Sequence, residues 1–476
     1  MKVSRMRCRA VLVLVLASSV LMTGCGDADR TPQERKSASG GGSSPSVRDG
    51  AVPKPVPADA RPPAAGKGSK DPDDINGDGY RDLMLSVPGP APSSGRVDQR
   101  FGVLFGSARG LDLTTRAVYG RSDLGLPERT DPDDGQGDYL GVDYVHTADL
   151  DGDGFPDFVT TERVATGRSV TYVAWGSAHG PTGRPATPLV LPPGAVVTAG
   201  DPLARGDFDG DGHHDLAIGG GSAAGPDTSP GHVRILFGPF SRAGAASRTR
   251  TLPDSSDIDL LAAPVDASGA HRATPLYLHH DDDGEQTAGT LYLNGWARGR
   301  ETHVGNAVEF GDFDGDGTQD LAVSDSGSRN NEVEPGYEDE ASHAFDGWFL
   351  YPGSGAAPVR HEEKAPGDTP RLAIDPDGDG RDGYVAGSGA TLTYVDGERR
   401  APVAHRIPAR VDGQKVSQSS RVAMPVAAAD FDGDGRQELV LSCSPDSASS
   451  GVTYWWVTDV ATRRDMMSFS TRDFAS

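Results

Sequence analysis

Short apolar runs recur along the chain, and each is bounded by glycine, proline, serine or aspartate. Examples are "LMLSV" from Leu83, "LAIGG" from Leu216, "LAVSD" from Leu321 and "LVLSC" from Leu439. Runs of this length and flanking composition predict β-strands separated by turns. No helical apolar stripe of any length follows the first twenty residues. The pattern therefore predicts an all-β chain.

A short acidic motif precedes many of these runs. It has the form D-x-[DN]-G-D-G-x-x-[DE] and begins at Asp74, Asp149, Asp207, Asp312 and Asp430. Two degenerate copies begin at Asp266 and Asp375, and the seven starts are 46 to 75 residues apart. Seven units of about 60 residues are typical of a seven-bladed β-propeller, in which each blade is a four-stranded sheet.

The spacing of the acids suits calcium, which takes six to eight oxygen ligands in proteins. A tight loop directs the side chains at positions 1, 3, 5 and 9 inward and adds the backbone carbonyl of position 7. Glycines at positions 4 and 6 permit positive φ angles. Carboxylates this close repel one another unless a cation is present. The predicted ligands are Asp74, Asn76, Asp78, Tyr80, Asp82; Asp149, Asp151, Asp153, Phe155, Asp157; Asp207, Asp209, Asp211, His213, Asp215; Asp312, Asp314, Asp316, Thr318, Asp320; and Asp430, Asp432, Asp434, Arg436, Glu438.

The two degenerate copies have incomplete ligand sets. The first keeps only Asp266 and a serine, whereas the second keeps Asp375, Asp377 and Asp379 but has Gly383 at position 9. An EF-hand is excluded because it needs a bidentate Glu at position 12. That position holds Leu85, Thr160, Ile218, Val323 and Leu441 in the five full copies. The loops are therefore expected between strands.

The acidic loops, together with the following segments "VLFGSARGL" and "VAWGSAHG", resemble FG-GAP/VCBS repeats. Such repeats build the seven-bladed propeller of integrin α-subunits and many bacterial surface proteins. The resemblance covers residues 70–476 and implies calcium-binding loops between the first and second strands of each blade. It also implies that loops on the opposite face present a ligand-binding surface. No first strand precedes Asp74, and the C-terminal "DMMSFSTRDF" is the candidate for the missing strand.

The N-terminus indicates export. A basic stretch precedes the apolar run 10–20, which is too short to span a bilayer, and "LMTGC" resembles the lipobox of bacterial lipoproteins. We expect residues 1–25 to be a lipoprotein signal with lipidation at Cys25; an ordinary cleaved signal peptide is the alternative. Residues 26–70 are predicted to be a disordered Ser/Gly/Pro-rich tether, and residues 71–476 the propeller. The protein is expected on the outer face of a bacterial membrane, or secreted.

Charge and cysteine content narrow the functional classes. The net charge of −24 argues against nucleic acid as a partner, because a basic phosphate-binding surface is not expected. Cys443 is the one cysteine beyond the export segment, so an intramolecular disulfide is not available to the mature domain. About five calcium ions are the expected staples of the propeller instead.

We expect a monomeric, non-enzymatic binding or adhesion module for a protein or glycan ligand, with membrane contact only through the lipid anchor. The alternatives are a hydrolase or lyase with its active site at the channel mouth, and a purely structural role. The motifs G-x-S-x-G and H-E-x-x-H are absent. The RGD tripeptide at Arg205 ends on Asp207, which is already a predicted calcium ligand. Of Trp455 and Trp456, at most one can offer an aromatic binding face, because neighbouring strand residues point to opposite sides.

Overall fold

The structure is a computed structural model. It describes residues 50–89, 99–128, 140–165, 168–222, 232–252, 258–280, 287–293, 298–325, 347–362, 370–387, 392–403, 405–444 and 452–474. These residues form seven antiparallel sheets in chain order. The predicted seven-bladed β-propeller is confirmed.

Six blades have four strands and the first has three, within the described residues. The strands are β1 (Leu83–Pro88), β2 (Gln99–Leu104) and β3 (Arg116–Tyr119) in blade 1; β4 (His146–Ala148), β5 (Asp157–Ala165), β6 (Arg168–Ala174) and β7 (Thr187–Pro188) in blade 2; β9 (Leu203–Gly206), β10 (Asp215–Ile218), β12 (Val233–Phe237) and β13 (Arg248–Leu252) in blade 3; β14 (Asp259–Ala262), β15 (Leu276–His279), β16 (Gly289–Tyr292) and β17 (Arg300–Glu301) in blade 4; β18 (Ala307–Gly311), β19 (Asp320–Ser324), β20 (Trp348–Tyr351) and β21 (Val359–His361) in blade 5; β22 (Leu372–Ile374), β23 (Gly383–Ala386), β24 (Leu392–Asp396) and β25 (Arg399–Val403) in blade 6; and β28 (Met424–Ala429), β29 (Glu438–Cys443), β30 (Tyr454–Asp459) and β31 (Arg464–Ser470) in blade 7. Two small ribbons pair β8 (Ala195–Val196) with β11 (Gly221–Ser222) and β26 (Arg410–Val411) with β27 (Gln414–Lys415).

The first strand of each four-stranded blade lies innermost. Strand β4 contacts β9, β9 contacts β14, β18 contacts β22, and β22 contacts β28. In blades 2 to 7 the acidic motif connects the first and second strands, and in blade 1 it directly precedes β1. We number the loops by blade: loops 1 (74–82), 2 (149–157), 3 (207–215), 4 (266–274), 5 (312–320), 6 (375–383) and 7 (430–438). All loops therefore lie at the same end of their first strands, around one mouth of the central channel.

The apolar core is divided among the joints between neighbouring blades. Seven buried clusters occur in the described residues, one at each joint. The joint between blades 7 and 1 contains Val440, Trp455 and Phe469 from blade 7 and Leu83 and Leu85 from blade 1. The ring is thus closed by packing of the same kind that joins the other blades.

The segment before blade 1 crosses this last joint. Gly50 N–H donates to the carbonyl of Arg406, and the indole Nε1 of Trp456 donates to the carbonyl of Ala51 at 2.8 Å. Lys54 forms a parallel bridge with Phe469 of β31. We call residues 50–61 the N-terminal strap, because they run from blade 6 along blade 7 to blade 1.

The strap reaches the outer edge of blade 1. Val56 is buried in the core between blades 7 and 1, and Arg61 forms a parallel bridge with Thr115 just before β3. Residues 66–69 then bond to loops 1 and 2 through the carbonyls of Asn76 and Gly154. The predicted tether, residues 26–70, thus contacts the propeller from residue 50 onward, and its earlier part lies outside the described residues.

Blade 1 lacks a separate first strand in the described residues, as the sequence indicates. The carbonyl of Asp73 accepts a hydrogen bond from Asp82 N–H at 2.8 Å, where the other blades have the end of their first strand. The suggestion that "DMMSFSTRDF" supplies this strand is wrong, because the segment forms β31 in blade 7 and a 3₁₀ turn at Thr471–Asp473. Its Phe474 packs into the core between blades 7 and 1.

Candidate functional site: acidic loops and central cavity

Carboxylates converge in five of the loops within the described residues. In each group, one oxygen from each of three side chains lies within 4.8 Å of the others. Loops 2, 3 and 7 bring positions 1, 3 and 9 together, whereas loops 5 and 6 bring positions 1, 3 and 5 together. The groups are Asp149, Asp151, Asp157; Asp207, Asp209, Asp215; Asp430, Asp432, Glu438; Asp312, Asp314, Asp316; and Asp375, Asp377, Asp379. These clusters can hold metal ions.

Loop 3 illustrates how the backbone builds a cluster. Oδ1 of Asp207 accepts the N–H of Asp211 at 3.0 Å, and Oδ2 accepts the N–H of Gly212 at 2.9 Å. Gly210 and Gly212 have φ angles of 73° and 87°. Residues that carry a side chain rarely adopt these left-handed φ angles, so glycine is needed where the backbone turns this tightly.

The acid at position 9 fastens its loop to the rest of the blade. Oδ2 of Asp215 accepts the N–H of Phe208, and Oδ1 accepts the N–H of Gly238 just after β12, both at 2.8 Å. A Cβ on Gly238 would lie 2.5 Å from the carbonyl oxygen of His214, which explains the glycine in "LFG" and "AWG" segments. The same pair of bonds is made by Asp82, Asp157 and Asp320. Position 9 is therefore a structural clip as well as a predicted ligand.

Burial sets the protonation of these position-9 acids when the loops hold no ion. Removal from water raises the pKa of Asp157 and Asp215 to about 8, and the pKa of Asp320 and Glu438 to about 7. The other carboxylates of each loop add to the effect. A bound cation would favour the ionised form and remove this cost.

Among the ligands predicted for the five full copies, two atoms are buried without a hydrogen-bond partner in the described residues. They are Oδ1 of Asn76 in loop 1 and Oδ1 of Asp149 in loop 2. A buried acceptor left unpaired costs roughly 1–3 kcal/mol, and coordination of a metal ion would satisfy it. Loop 1 forms no three-acid group among the described residues, because position 3 is Asn76, whose amide donates to Asp78. The orphaned oxygens fit a metal site in both loops.

The two degenerate loops differ from each other. Loop 6 keeps a converged group despite Gly383 at position 9. Its Asp382 turns away and accepts the N–H of Asp312 in blade 5 at 2.7 Å. Loop 4 forms no such group in the described residues, and Asp266 lies 3.9 Å from the guanidinium of Arg272 instead.

Neighbouring loops are joined by hydrogen bonds that the sequence pattern did not predict. The backbone N–H of Asp382 donates to the carbonyl of Asp312, while the carboxylate of Asp382 accepts from the N–H of Asp312. One residue thus binds both backbone groups at position 1 of the preceding loop. Thr274 makes the same two bonds to Asp207, and Gln437 makes them to Asp375. Polar residues at the end of a loop are the signal that points to such joints.

A central cavity of about 1250 Å³ opens among the loops. Its rim includes Asp209 and Asp430 from the loops, and its wall includes Glu309 and Ala373 from the inner strands. The family resemblance implies a ligand on the opposite face, whereas this large concave surface lies on the acidic-loop face. Within the cavity wall, burial raises the pKa of Glu309 to about 8 and that of Asp382 to about 6.

The remaining sequence candidates are placed as follows. Arg205 of the RGD tripeptide points inward, where its guanidinium donates to the carbonyl of Thr147 at 2.8 Å and pairs with Asp73. Trp455 and Trp456 are 8% and 0% exposed, so neither offers a binding face. Cys25 lies outside the described residues, and its lipidation stays a prediction. No helix in the described part of the chain has the length and apolar character needed to cross a bilayer.

The model of a family described as FG-GAP-like repeat matches residues 149–218, from the start of loop 2 to the end of β10. Fold and loops define a seven-bladed propeller with acidic loops between the first two strands of its blades. Residues 149–218 are thus similar to one FG-GAP-like repeat, and the whole chain is a seven-bladed β-propeller. No curated protein sequence matches it.

Similar solved structures include a mutant of the apocarotenoid oxygenase of Synechocystis, with a TM-score of 0.42 and 12% identity over 87% of this chain and 94% of that chain. Another is BBS1N in complex with ARL6DN, with a TM-score of 0.37 and 12% identity over 85% of this chain and 99% of that chain. The V. cholerae biofilm matrix protein Bap1 has a TM-score of 0.24 and 12% identity over 89% of this chain and 83% of that chain. Similarity this low says nothing about activity.

Proposed function

We propose that this protein is a calcium-stabilised binding propeller that takes a protein or glycan ligand in its central cavity. The observation that carries the proposal is the cavity of about 1250 Å³, whose lining mixes many charged and polar side chains with apolar residues of the inner strands. Ligand sites in proteins are typically concave, and polar groups placed in them fix the orientation of the ligand.

Calcium is the proposed ion because the loops offer oxygen ligands alone. Carboxylate, amide and carbonyl oxygens are what calcium prefers, whereas zinc and other transition metals favour nitrogen or sulfur. The residues that would hold calcium are those of the five converged clusters and Asn76, whose Oδ1 has no hydrogen-bond partner among the described residues. The ion would supply positive charge to crowded carboxylates. An exported protein, lipid-anchored through Cys25 or secreted, would meet calcium outside the cell.

A hydrolase or lyase remains the alternative, and Glu309 with Asp382 in the cavity wall favours it. A carboxyl with a raised pKa beside a second carboxyl is an arrangement found in acid–base catalysis. Both groups are, however, already used in hydrogen bonds across the joint between blades 5 and 6. We therefore favour binding over turnover.

The test is a screen of the purified protein against peptide and glycan arrays in calcium buffer, followed by hydrogen exchange with the ligand that binds. We expect the ligand to slow exchange in the inner strands β18, β22 and β28 and to be recovered unchanged. Protection confined to outer strands would contradict the proposed site. Conversion of the ligand that is lost in Glu309→Gln would favour the enzyme.

A further inference from the structure

Neighbouring acidic loops contact each other through the side chain at position 7. In loop 2 this residue is Phe155, and a Cβ on Gly77, at position 4 of loop 1, would lie 2.7 Å from its Cε1 atom. In loop 1 it is Tyr80, and a Cβ on Gly433, at position 4 of loop 7, would lie 2.9 Å from its Cε1 atom. Each glycine thus leaves its backbone open to the next loop, and an aromatic ring covers it.

The same arrangement recurs at three further joints between loops. A Cβ on the glycine at position 4 would lie 3.1 to 3.6 Å from the position-7 side chain of the following loop. The pairs are Gly152 with His213, Gly315 with Arg381, and Gly378 with Arg436. Five of the seven joints therefore share one contact, although the side chains that make it differ in chemistry.

Both partners in this contact belong to the predicted metal sites. Position 7 offers its carbonyl as a ligand, and its N–H donates to the carboxylate at position 5, as Phe155 does to Asp153 at 3.0 Å. Position 4 lies between the ligands at positions 3 and 5, and in loop 7 the N–H of Gly433 donates to Asp430 at 2.7 Å. An ion that draws the ligands of one loop together therefore also fixes the residue that packs against the neighbouring loop.

Loops 1 and 2 share a second connection through the chain that precedes loop 1. The N–H groups of Lys67 and Gly68 donate to the carbonyl of Gly77 at 2.9 and 3.1 Å, and the N–H of Ser69 donates to the carbonyl of Gly154 at 2.8 Å. Three consecutive residues thus bind position 4 of loop 1 and position 6 of loop 2. This joint is where a change in one loop is best transmitted to the next.

Loop 4 interrupts the series. A Cβ on Gly269, at its position 4, would meet no atom within 4 Å, so Thr318 at position 7 of loop 5 does not cover it. Arg272 of loop 4 donates instead to the carbonyl of Gly317, at position 6 of loop 5. Loop 4 also lacks a converged carboxylate group among the described residues. The coupled loops therefore form an open row that runs from loop 5 through loops 6, 7, 1 and 2 to loop 3.

Building on the proposed calcium sites, we infer that calcium binds cooperatively along this row, because an ion in one loop fixes the residue against which the adjacent loop packs. Coupling of this kind is reciprocal, so each of two adjacent sites raises the affinity of the other by the same factor. In repeat proteins such nearest-neighbour contributions propagate along the array. Since the loops surround the mouth of the cavity, its rim becomes ordered over a narrow range of calcium concentration, and ligand binding there is switched by calcium.

The test follows hydrogen exchange in each loop of the purified protein while the free calcium concentration is varied, and equilibrium dialysis counts the bound ions. We expect the loops of the row to become protected together, with a Hill coefficient of about 2, and loop 4 to stay unchanged. Independent midpoints with a Hill coefficient of 1 would contradict the coupling.

Substitutions at the joint between loops 1 and 2 test the contact itself. Phe155→Ala removes the ring over Gly77 but keeps the backbone carbonyl of loop 2. It should raise the calcium midpoint of loop 1 at least about fivefold without changing the number of ions at saturation. Phe155→Leu, which keeps an apolar side chain at this position, should restore most of the affinity.

Removal of a ligand tests whether the row is open at loop 4. Asp151→Asn, at position 3 of loop 2, should raise the midpoint of loop 1 by a similar factor. The matched change Asp314→Asn, at position 3 of loop 5, should leave the midpoint of loop 3 unchanged, because loop 4 separates the two.

Failure takes distinct forms. An unchanged midpoint of loop 1 in Phe155→Ala, or a shifted midpoint of loop 3 in Asp314→Asn, would overturn the coupled row. If calcium binds to independent loops, the proposed calcium sites stand without the coupling; if no calcium binds, both fail. Melting temperatures in chelator show whether each variant is folded, and Asp151→Asn provides the second variant should Phe155→Ala unfold.

Discussion

Loops 4 and 6 both depart from the acidic consensus, yet they end in different states. In loop 6 the oxygens of Asp375 accept the N–H groups of Gly378 and Gly380 at 2.7 and 2.9 Å, and three carboxylates converge. In loop 4, position 5 is Ala270, and Asp266 accepts from Ser268 at 3.0 Å and faces Arg272. Loop 6 keeps a converged group of carboxylates, whereas in loop 4 an arginine of the same loop lies 3.9 Å from the first aspartate.

The difference between loops 4 and 6 shows which positions determine whether the carboxylates of a loop converge. Loop 6 has no acid at position 9 and still forms a cluster from positions 1, 3 and 5, so convergence does not require the acid at position 9. In loop 4, burial raises the pKa of Asp266, but hydrogen bonds with Ser268 and the charge of Arg272 bring it below its usual value. Asp266 is therefore stabilised as an anion without a metal.

Calcium removal should have the largest effect and should separate the two loops. A site whose Kd is tenfold below the free calcium concentration contributes about 1.4 kcal/mol, and five such clusters about 7 kcal/mol. We expect a chelator to lower the melting temperature sharply and to speed hydrogen exchange in loop 6 but not in loop 4. An unchanged melting temperature would refute the role of the ions in stability.

The effect of the chelator should depend on pH. Without ions, the pKa of Asp157 and Asp215 in the folded state is about 8, against an ordinary value of 3.8. Between these values the folded state binds more protons than the unfolded state, so ion-free stability falls as pH rises from about 4 to about 8 and then levels. Calcium displaces these protons, so the gap between calcium-loaded and chelated melting temperatures should widen over the same range. Thermal scans across it test the sign; a constant gap would contradict it.

Single substitutions test loop 4 against loop 6 directly. Asp375→Asn should remove one calcium per chain and about 1.4 kcal/mol of unfolding free energy at calcium tenfold above Kd. Asp266→Asn, the matched change, should remove no calcium. Metal analysis and denaturant unfolding measure the two quantities. Equal ion loss in both variants would mean that loop 4 also holds calcium.

The smallest expected effect concerns the arginine beside loop 6. Arg399 lies 3.4 Å from Asp377, and both side chains are well exposed. Exposed pairs contribute about 0–1 kcal/mol, so Arg399→Gln should barely change unfolding free energy in chelator. It should slightly tighten calcium binding, since a competing cation is gone. Weaker calcium binding in this variant would show that the arginine supports the loop.

The repeat made the fold predictable, because each acidic loop marks one joint between a first and second strand. Seven starts in the sequence therefore gave seven blades, including those at Asp266 and Asp375. Counting positions from the first aspartate of each loop was less reliable for the residues at the end of the loop. Thr274 falls at position 9 of loop 4 by counting, whereas its two bonds to Asp207 are those that Asp382, at position 8, makes to Asp312.

Contacts between segments far apart in the chain could not be predicted from the sequence, and the reason is physical. The strap has no apolar period of its own, and its anchors are mostly backbone groups that meet residues some 400 positions away, as in the bond from Trp456 to Ala51. Glu309 was also missed, because a single acid in an apolar strand carries no motif. Only the closed ring brings it to the cavity with Asp382.

The path of the strap has a mechanical consequence. A pull applied at residue 50 is borne first by bonds to blades 6 and 7, through Arg406, Trp456 and Ser468. Because Lys54 lies parallel to β31, its bridge to Phe469 and its bond to Ser468 are loaded in shear. Tension from that end thus loads the joint between blades 7 and 1 before it reaches β1, so the joint that closes the ring is also the one that the strap crosses.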